Sequence, residues 1–344
     1  MSKNPAAIYD SVSFTTNFLM KEDLPNIFRS SFSIKNFPLA KRLDLFAVVE
    51  PNKKILLFDL GKEVLCGTEG LDCLVENFHV PWSSVEIVLS HFHDDHDGCL
   101  QYCVEKGVTK IYHGPRISYS EKNKEAFLKR SGTLRQGDVG LEEYVDFFLQ
   151  KDRFPSEVEA LLQEVHEGHV FSIAGYNFKV AYTPGHTPEH ISLYEPDKKI
   201  LFAGDFVLEA SPGVMQFIPE AHLLDRYLKA LHWAYDEKFS ALYMSHRDSL
   251  FDSNEINTLI SKQIASYQHP LDKVMSQFSE GEWLDAYEVA QRYCSTYKGG
   301  LAGLVGDPRI RKVSNMYGYL DYLYEKGHLK HDISSDGRDM YALP

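Results

Sequence analysis

Apolar positions along this chain come mostly in short runs that stop at polar turn residues. "LFAVVE" from 45, "KILLFDLG" from 54, "VEIVLSH" from 85, "NFKVAYTPG" from 177, "HISLYEPD" from 190, "KILFAGD" from 199 and "ALYMSH" from 241 have strand length and strand composition. Several run on into histidine or aspartate, as in "LSHFHDDH", "YTPGH", "FAGD" and "YMSH". A scaffold whose strands end this way carries its chemistry on loops at one sheet edge.

Between 115 and 168 the period changes. "SEKNKEAFLKR", "GLEEYVDFFLQK" and "PSEVEALLQEVHEG" space their apolar residues as helices do and hold no convincing strand, which predicts a helical insertion or lid. After "YQHP" at 267–270, "LDKVMSQF", "LDAYEVAQRYC" and "SNMYGYLDYLYEKGHL" predict three helices, and "HLKHDISSDGRDMYALP" a hairpin. That succession reads as a winged-helix-like domain over 269–344, following a first domain over 1–268 that contains the 115–168 insertion.

Composition narrows the class. A chain of 344 residues has room for one large and one small core. Its N-terminus lacks an apolar signal region and no apolar run reaches membrane-spanning length, so the sequence reads as cytoplasmic with no membrane partner. The cysteines are scattered with no CxxC pair, so neither a disulfide framework nor a thiolate zinc knuckle is indicated. Cys99 and Cys103, at i and i+4, are expected on a helix face packed into the core. A formal charge of −13 disfavours nucleic acid as a partner, and the basic run "DPRIRK" at 307–312 reads as a solvated face. The expected partner is a small-molecule substrate, and a homodimer is compatible with the sequence.

The stretch "SHFHDDHDG" at 90–98 carries the strongest chemical signal. His91 and His93, two apart, point the same way from an extended segment, while Asp95 and His96 fall on the following turn. One segment can thus serve two adjacent cations. Nitrogen and oxygen ligands suit zinc, iron or manganese and leave positions for water. A bound dication lowers the pKa of that water toward neutrality, and two of them about 3.5–4 Å apart can clamp a developing oxyanion.

With "TPGHTPEHISLY", "FAGDF" and "MSH" following in order, the chain resembles the metallo-β-lactamase superfamily over roughly residues 40–250. The resemblance implies an α/β (α+β) architecture, an αββα sandwich of two mixed sheets between helices. Carried over by position, it implies that His91, His93 and His186 hold one metal, that Asp95, His96 and His246 hold a second, and that Asp205 bridges them. The implied cofactors are two divalent ions, zinc first, with iron and manganese as alternatives. "SHRD" stands where relatives usually show a glycine-flanked histidine, and "FDLG" at 58–61 resembles a strand end whose Asp59 supports a ligand or its turn. His190 opens the strand after His186 and faces either the pocket or the core. The histidines outside these motifs read as surface or core residues.

The reaction expected of this set is hydrolysis, with a metal-activated hydroxide attacking an ester, thioester or lactone. Asp95 is the catalytic residue expected to orient the water and move its proton. Phe147, Phe148 and Leu149 suit a lid over a partly apolar substrate. The alternatives are a phosphodiesterase or ribonuclease on the same site, a di-iron oxidoreductase, and a non-catalytic metal-binding regulator.

Overall fold

A computed structural model of the chain describes residues 14–15, 20–34, 42–62, 68–116, 121–136, 145, 154–208, 213–304 and 307–344. In chain order the elements are β1 (Phe14–Thr15), β2 (Met20–Leu24), β3 (Ile27–Ile34), β4 (Arg42–Glu50), β5 (Lys54–Phe58), α1 (Thr68–Asn77), β6 (Val85–Leu89), α2 (Asp94–Asp97), α3 (Leu100–Lys106) and β7 (Lys110–His113). Then come α4 (Glu121–Arg130), α5 (Ser156–Glu159), β8 (Leu162–Glu164), β9 (Val170–Ile173), β10 (Tyr176–Tyr182), β11 (Ile191–Glu195), β12 (Ile200–Phe202), α6 (Leu223–Glu237) and β13 (Ala241–Tyr243). The chain closes with α7 (Ser253–Ala265), α8 (Gln268–Met275), α9 (Ala286–Tyr293), α10 (Asp307–Glu325), β14 (Lys330–Ile333) and β15 (Asp339–Ala342).

The strands form two mixed sheets. The first runs β1-β3-β4-β5-β6-β7-β8 with β2 beside β3, and the second β13-β12-β11-β10-β9. Pairing is parallel from β5 to β8 and between β12 and β13, and antiparallel elsewhere.

The uniformly apolar runs are explained by burial on both faces. In β4, Leu43, Leu45, Ala47 and Val49 pack outward against α1 and α3, where Leu71, Leu74, Leu100 and Cys103 meet them. Phe46 and Val48 point the other way, into the space between the sheets. There Phe202 stacks on Phe178 at 5.0 Å and on Phe46 and Phe58 at 5.8 Å, with Tyr243 edge-on at 4.8 Å. The outer face of the second sheet is covered by α6, α7 and the C-terminal helices in one apolar cluster. The layers therefore run helix, sheet, sheet, helix, as expected.

Each predicted run overlaps one of β4, β5, β6, β10, β11, β12 and β13, most running on past the strand's end. The helical reading of 115–168 needs correction. Its last part turns back into β8, which pairs in parallel with β7 through Ile111 and Leu162. Its first helix, α4, inserts Phe127 between Phe217 at 5.1 Å and Tyr317 at 5.9 Å, so it packs into the outer helical layer. Phe147, Phe148 and Leu149, offered as lid residues, lie outside the described residues. Three helices and a hairpin do follow residue 267, and Leu284 exchanges two 2.9 Å backbone hydrogen bonds with Tyr341.

Phe202→Ala removes the ring shared by both sheets, and a loss of about 3–5 kcal/mol is expected in urea unfolding. A loss below about 1 kcal/mol would show that the inter-sheet layer closes around the deletion.

Candidate metal centre

Strand direction gathers the functional side chains. β5 and β6 run in parallel and end at Phe58 and Leu89, immediately before Asp59 and the Ser90–His96 segment. In the second sheet β10, β12 and β13 share one direction and lead into His186, Asp205 and His246. The two edges are sewn together by backbone hydrogen bonds, Ile191 N–H to Ser90 O at 2.9 Å and Asp44 N–H to Ser245 O at 2.7 Å.

The local turns follow from their residues. His93 is the extended N-terminal flank of the one-turn helix α2, and its carbonyl accepts from His96 and Asp97. His91 and His93 thus lie before the turn, Asp95 and His96 upon it. Gly204 has φ +53°, and a Cβ there would lie 2.7 Å from Ser90 Cβ, so only glycine lets Asp205 approach the other sheet. At Gly185 a Cβ would lie 2.2 Å from the Tyr227 ring, whose hydroxyl donates to Phe206 O at 2.7 Å. One α6 tyrosine thereby seats the His186 loop and the segment after Asp205.

The structure brings His91, His93, Asp95, His96, His186, Asp205 and His246 together. Their candidate ligand atoms fall into three overlapping groups, His91–His93–His186, His91–His96–Asp205 and Asp95–His96–His246, with the atoms of each group within 4.8 Å of one another. His91 Nε2 lies 2.9 Å from His93 Nδ1, which lies 3.1 Å from His186 Nε2. Asp205 faces both sides, with Oδ2 3.5 Å from His186 Nε2, and Oδ1 3.5 Å from His96 Nε2 and 3.3 Å from His246 Nε2. Asp95 Oδ2 is 3.3 Å from His246 Nε2.

A surrounding layer fixes which nitrogen points inward. Asp59 accepts from Ser90 N–H at 2.7 Å, Ser90 Oγ–H at 2.8 Å and His96 Nδ1–H at 2.8 Å. Ser90 Oγ, having given its proton to Asp59, accepts from His91 Nδ1 at 2.9 Å. Nε2 of both rings is left facing the centre. His246 Nδ1 is held by the Arg42 carbonyl at 2.9 Å. The Arg42 guanidinium grips Asp44 at 2.6 and 2.8 Å and also binds Asp248, which gives the "SHRD" turn an anchor that needs no glycine.

His190 faces the core side of the site. It is buried, with Nδ1 2.8 Å from Thr183 Oγ1 and Nε2 accepting the Asp205 backbone N–H at 3.2 Å. Its role is to position Asp205, and the sequence carries no signal for it beyond its spacing from His186. Arg42 was also missed, because its carbonyl does the work and any residue has one. Cys99 and Cys103 sit under α3 in the core, and burial pushes the Cys103 thiol up to about 12.

Charge is concentrated here. Burial, reinforced by the neighbouring imidazoles, holds His91 well below its ordinary pKa and His186 down at about 3. Burial also opposes charge on His96 and His246, but the carboxylates of Asp205 and Asp95 outweigh it and raise both. Those carboxylates are lowered in turn, against their own burial, by the same histidines. The acids demand positive charge beside them, which a divalent cation would supply in place of the imidazole protons. His96 Nε2 and Asp205 Oδ1 are buried and lack a hydrogen-bond partner. Buried polar atoms without partners are rare and costly, so the donor set fits a cation.

Residues 85–246 match the family model of the Metallo-beta-lactamase superfamily. The chain is thus similar to that superfamily over this stretch. Hydroxyacylglutathione hydrolase GloC of Haemophilus influenzae is 30% identical over 131 residues, which cover 38% of this chain and 53% of that protein. The chain thus spans about half the length of this curated relative. Two solved structures share the fold across nearly the whole chain. The beta-lactamase domain protein from Burkholderia ambifaria has a TM-score of 0.67 at 17% identity, covering 94% of this chain and 95% of its own. The metallo-beta-lactamase family protein from Thermus thermophilus has a TM-score of 0.61 at 20% identity, covering 93% and 99%.

Asp59 offers a test of the layer surrounding the candidate metal site. Asp59→Asn keeps a side chain that tolerates the observed φ of +61° but replaces an acceptor of the His96 and Ser90 protons with an amide. Metal affinity, measured against a competing chelator, is expected to fall by about 10–100-fold. Unchanged affinity would reduce Asp59 to a turn former.

Proposed function

We propose that this chain is a dinuclear metal-dependent hydrolase acting on an ester, thioester or lactone of a small molecule. The observation that carries the reading is the convergence of His91, His93, Asp95, His96, His186, Asp205 and His246 around the buried His96 Nε2 and Asp205 Oδ1, which lie 3.5 Å apart. His91, His93 and His186 would hold one divalent ion, Asp95, His96 and His246 the second, and the two oxygens of Asp205 would serve both. Zinc is the first choice, since neutral imidazoles and carboxylates suit it, with iron and manganese as alternatives. When bound, such ions supply an acidified water and a Lewis acid for the carbonyl oxygen. The printed name of the Haemophilus relative describes hydrolysis of an acyl-glutathione, which supports the thioester member of the substrate class.

The chain's own groups do the rest. Asp95 is ionised and open to one side of the cluster, and it accepts the proton of the attacking water and returns it to the leaving group. His91, His96 and His246, each locked in one tautomer by Ser90, Asp59 and Arg42, need no reorganisation to ligate. Residues 269–344, with three helices, the Leu284 bridge and the hairpin, fit a winged-helix-like unit.

Protein purified without added metal is expected to contain two equivalents of zinc or manganese and to turn over one class in a panel of aryl esters, thioesters and lactones, with chelation abolishing the rate. Iron, oxygen consumption and no hydrolysis would replace this reading with a redox one. Asp95→Asn in the metal-replete enzyme is expected to lower kcat by about 10²–10⁴-fold. A rate near wild type would remove Asp95 from proton transfer.

A further inference from the structure

Several lysines of this acidic chain sit beside a carboxylate. Lys62, Lys106, Lys110, Lys199 and Lys326, for example, each lie within 3.0 Å of an Asp or Glu oxygen. Lys273 on α8 and Lys312 on α10 have no such partner among the described residues. They converge on the same two tyrosines instead. Lys273 Nζ is 3.9 Å from the centre of the Tyr293 ring and Lys312 Nζ 5.1 Å; to Tyr297 the distances are 5.6 and 6.0 Å.

One tyrosine face attracts one ammonium weakly, and a second ammonium at the same ring adds a repulsion that the ring does not offset. Among the described residues no carboxylate is paired with either ammonium. Burial raises the phenols of Tyr293 and Tyr297 and the thiol of Cys294, so all three stay neutral. Burial lowers the Lys312 amine, opposed by Cys294 and reinforced by Lys273, which is the response of a cation short of a counter-charge. Tyr293 is buried, whereas Tyr297 is exposed and leaves an approach from solvent.

We propose that Lys273 and Lys312, arrayed over Tyr293 and Tyr297, form a binding site for a small phosphate dianion. Two ammoniums balance two charges, which a single carboxylate does not, and a tetrahedral phosphate has enough oxygens to accept from both at once. The site is built from α8, α9 and α10, so it belongs to the C-terminal helices and uses none of the residues of the metal centre.

The test is calorimetric titration of the metal-loaded, full-length protein with inorganic phosphate. The metal centre also attracts phosphate, so the decisive comparison is between variants that leave that centre intact. Lys273→Met with Lys312→Met keeps the apolar stems and is expected to weaken the lysine-dependent event by about tenfold or more, while Lys273→Arg with Lys312→Arg retains it. Hydrolytic kcat/KM is expected to stay unchanged in both. Should the methionine pair not fold, Lys273→Glu gives Lys312 an internal partner; it is expected to abolish the phosphate event and raise the melting temperature. Identical isotherms for wild type and the methionine or glutamate variants would overturn the proposal. So would lysine-dependent binding of a short thymidine oligonucleotide with none for phosphate.

Discussion

Two carboxylates and their imidazole neighbours are confined at this largely buried centre, and the surrounding architecture answers to that confinement. Asp95 and Asp205 stay ionised only because positive charge is held within about 4 Å, a distance at which low polarity multiplies the attraction several-fold over its value in water. Small displacements would therefore be expensive. The scaffold prevents them by anchoring the groups from behind: Asp59 through Ser90 to His91 and directly to His96, Arg42 to His246, and His190 to the backbone of Asp205. Arg42 to His246 crosses between two sheets that share no strand, as do His93 to His186 and His96 to Asp205, so the geometry of the centre is a property of the sandwich and not of any one loop.

Much of this was legible in the sequence. Strands buried on both faces announce themselves as unbroken apolar runs, and a ligand pair two residues apart followed by a turn has a definite direction. β2 and β3 left no such trace. In "IFRSSFSI" the buried Arg29 owes its place to Asp23 at 2.8 Å and Asp44 at 3.4 Å, residues from other strands that no local pattern could supply. β8 was misread for a related reason, since "LQE" has no strand character until β7 lies beside it. Of the supporting groups, Asp59 was visible because its motif is local. Arg42 acts through a carbonyl and His190 through a ring nitrogen aimed at another loop's backbone, and neither role has a residue pattern.

The outer helical layer binds the middle of the chain to its end. The core that covers the second sheet is continuous from Phe127 through Tyr227 to Tyr317 and Tyr341. Along one side Arg130 donates to Asp339 and Glu220, both at 2.8 Å, and the Ser131 carbonyl accepts from Tyr287 at 2.9 Å. Tyr227 belongs to the same layer, so the helices that close the fold also bear on the His186 loop.

That arrangement has a consequence for how the molecule is made. Arg130 and Asp339 are separated by 209 positions. On a ribosome every proposed ligand, from His91 to His246, emerges while the C-terminal partners of α4, Tyr317 and Asp339, are still unsynthesised. Phe127 then has Phe217 on one side and no Tyr317 on the other. A centre competent to capture metal precedes the cover that finishes the fold, and the interval between them is when the nascent chain most needs protection from other nascent chains.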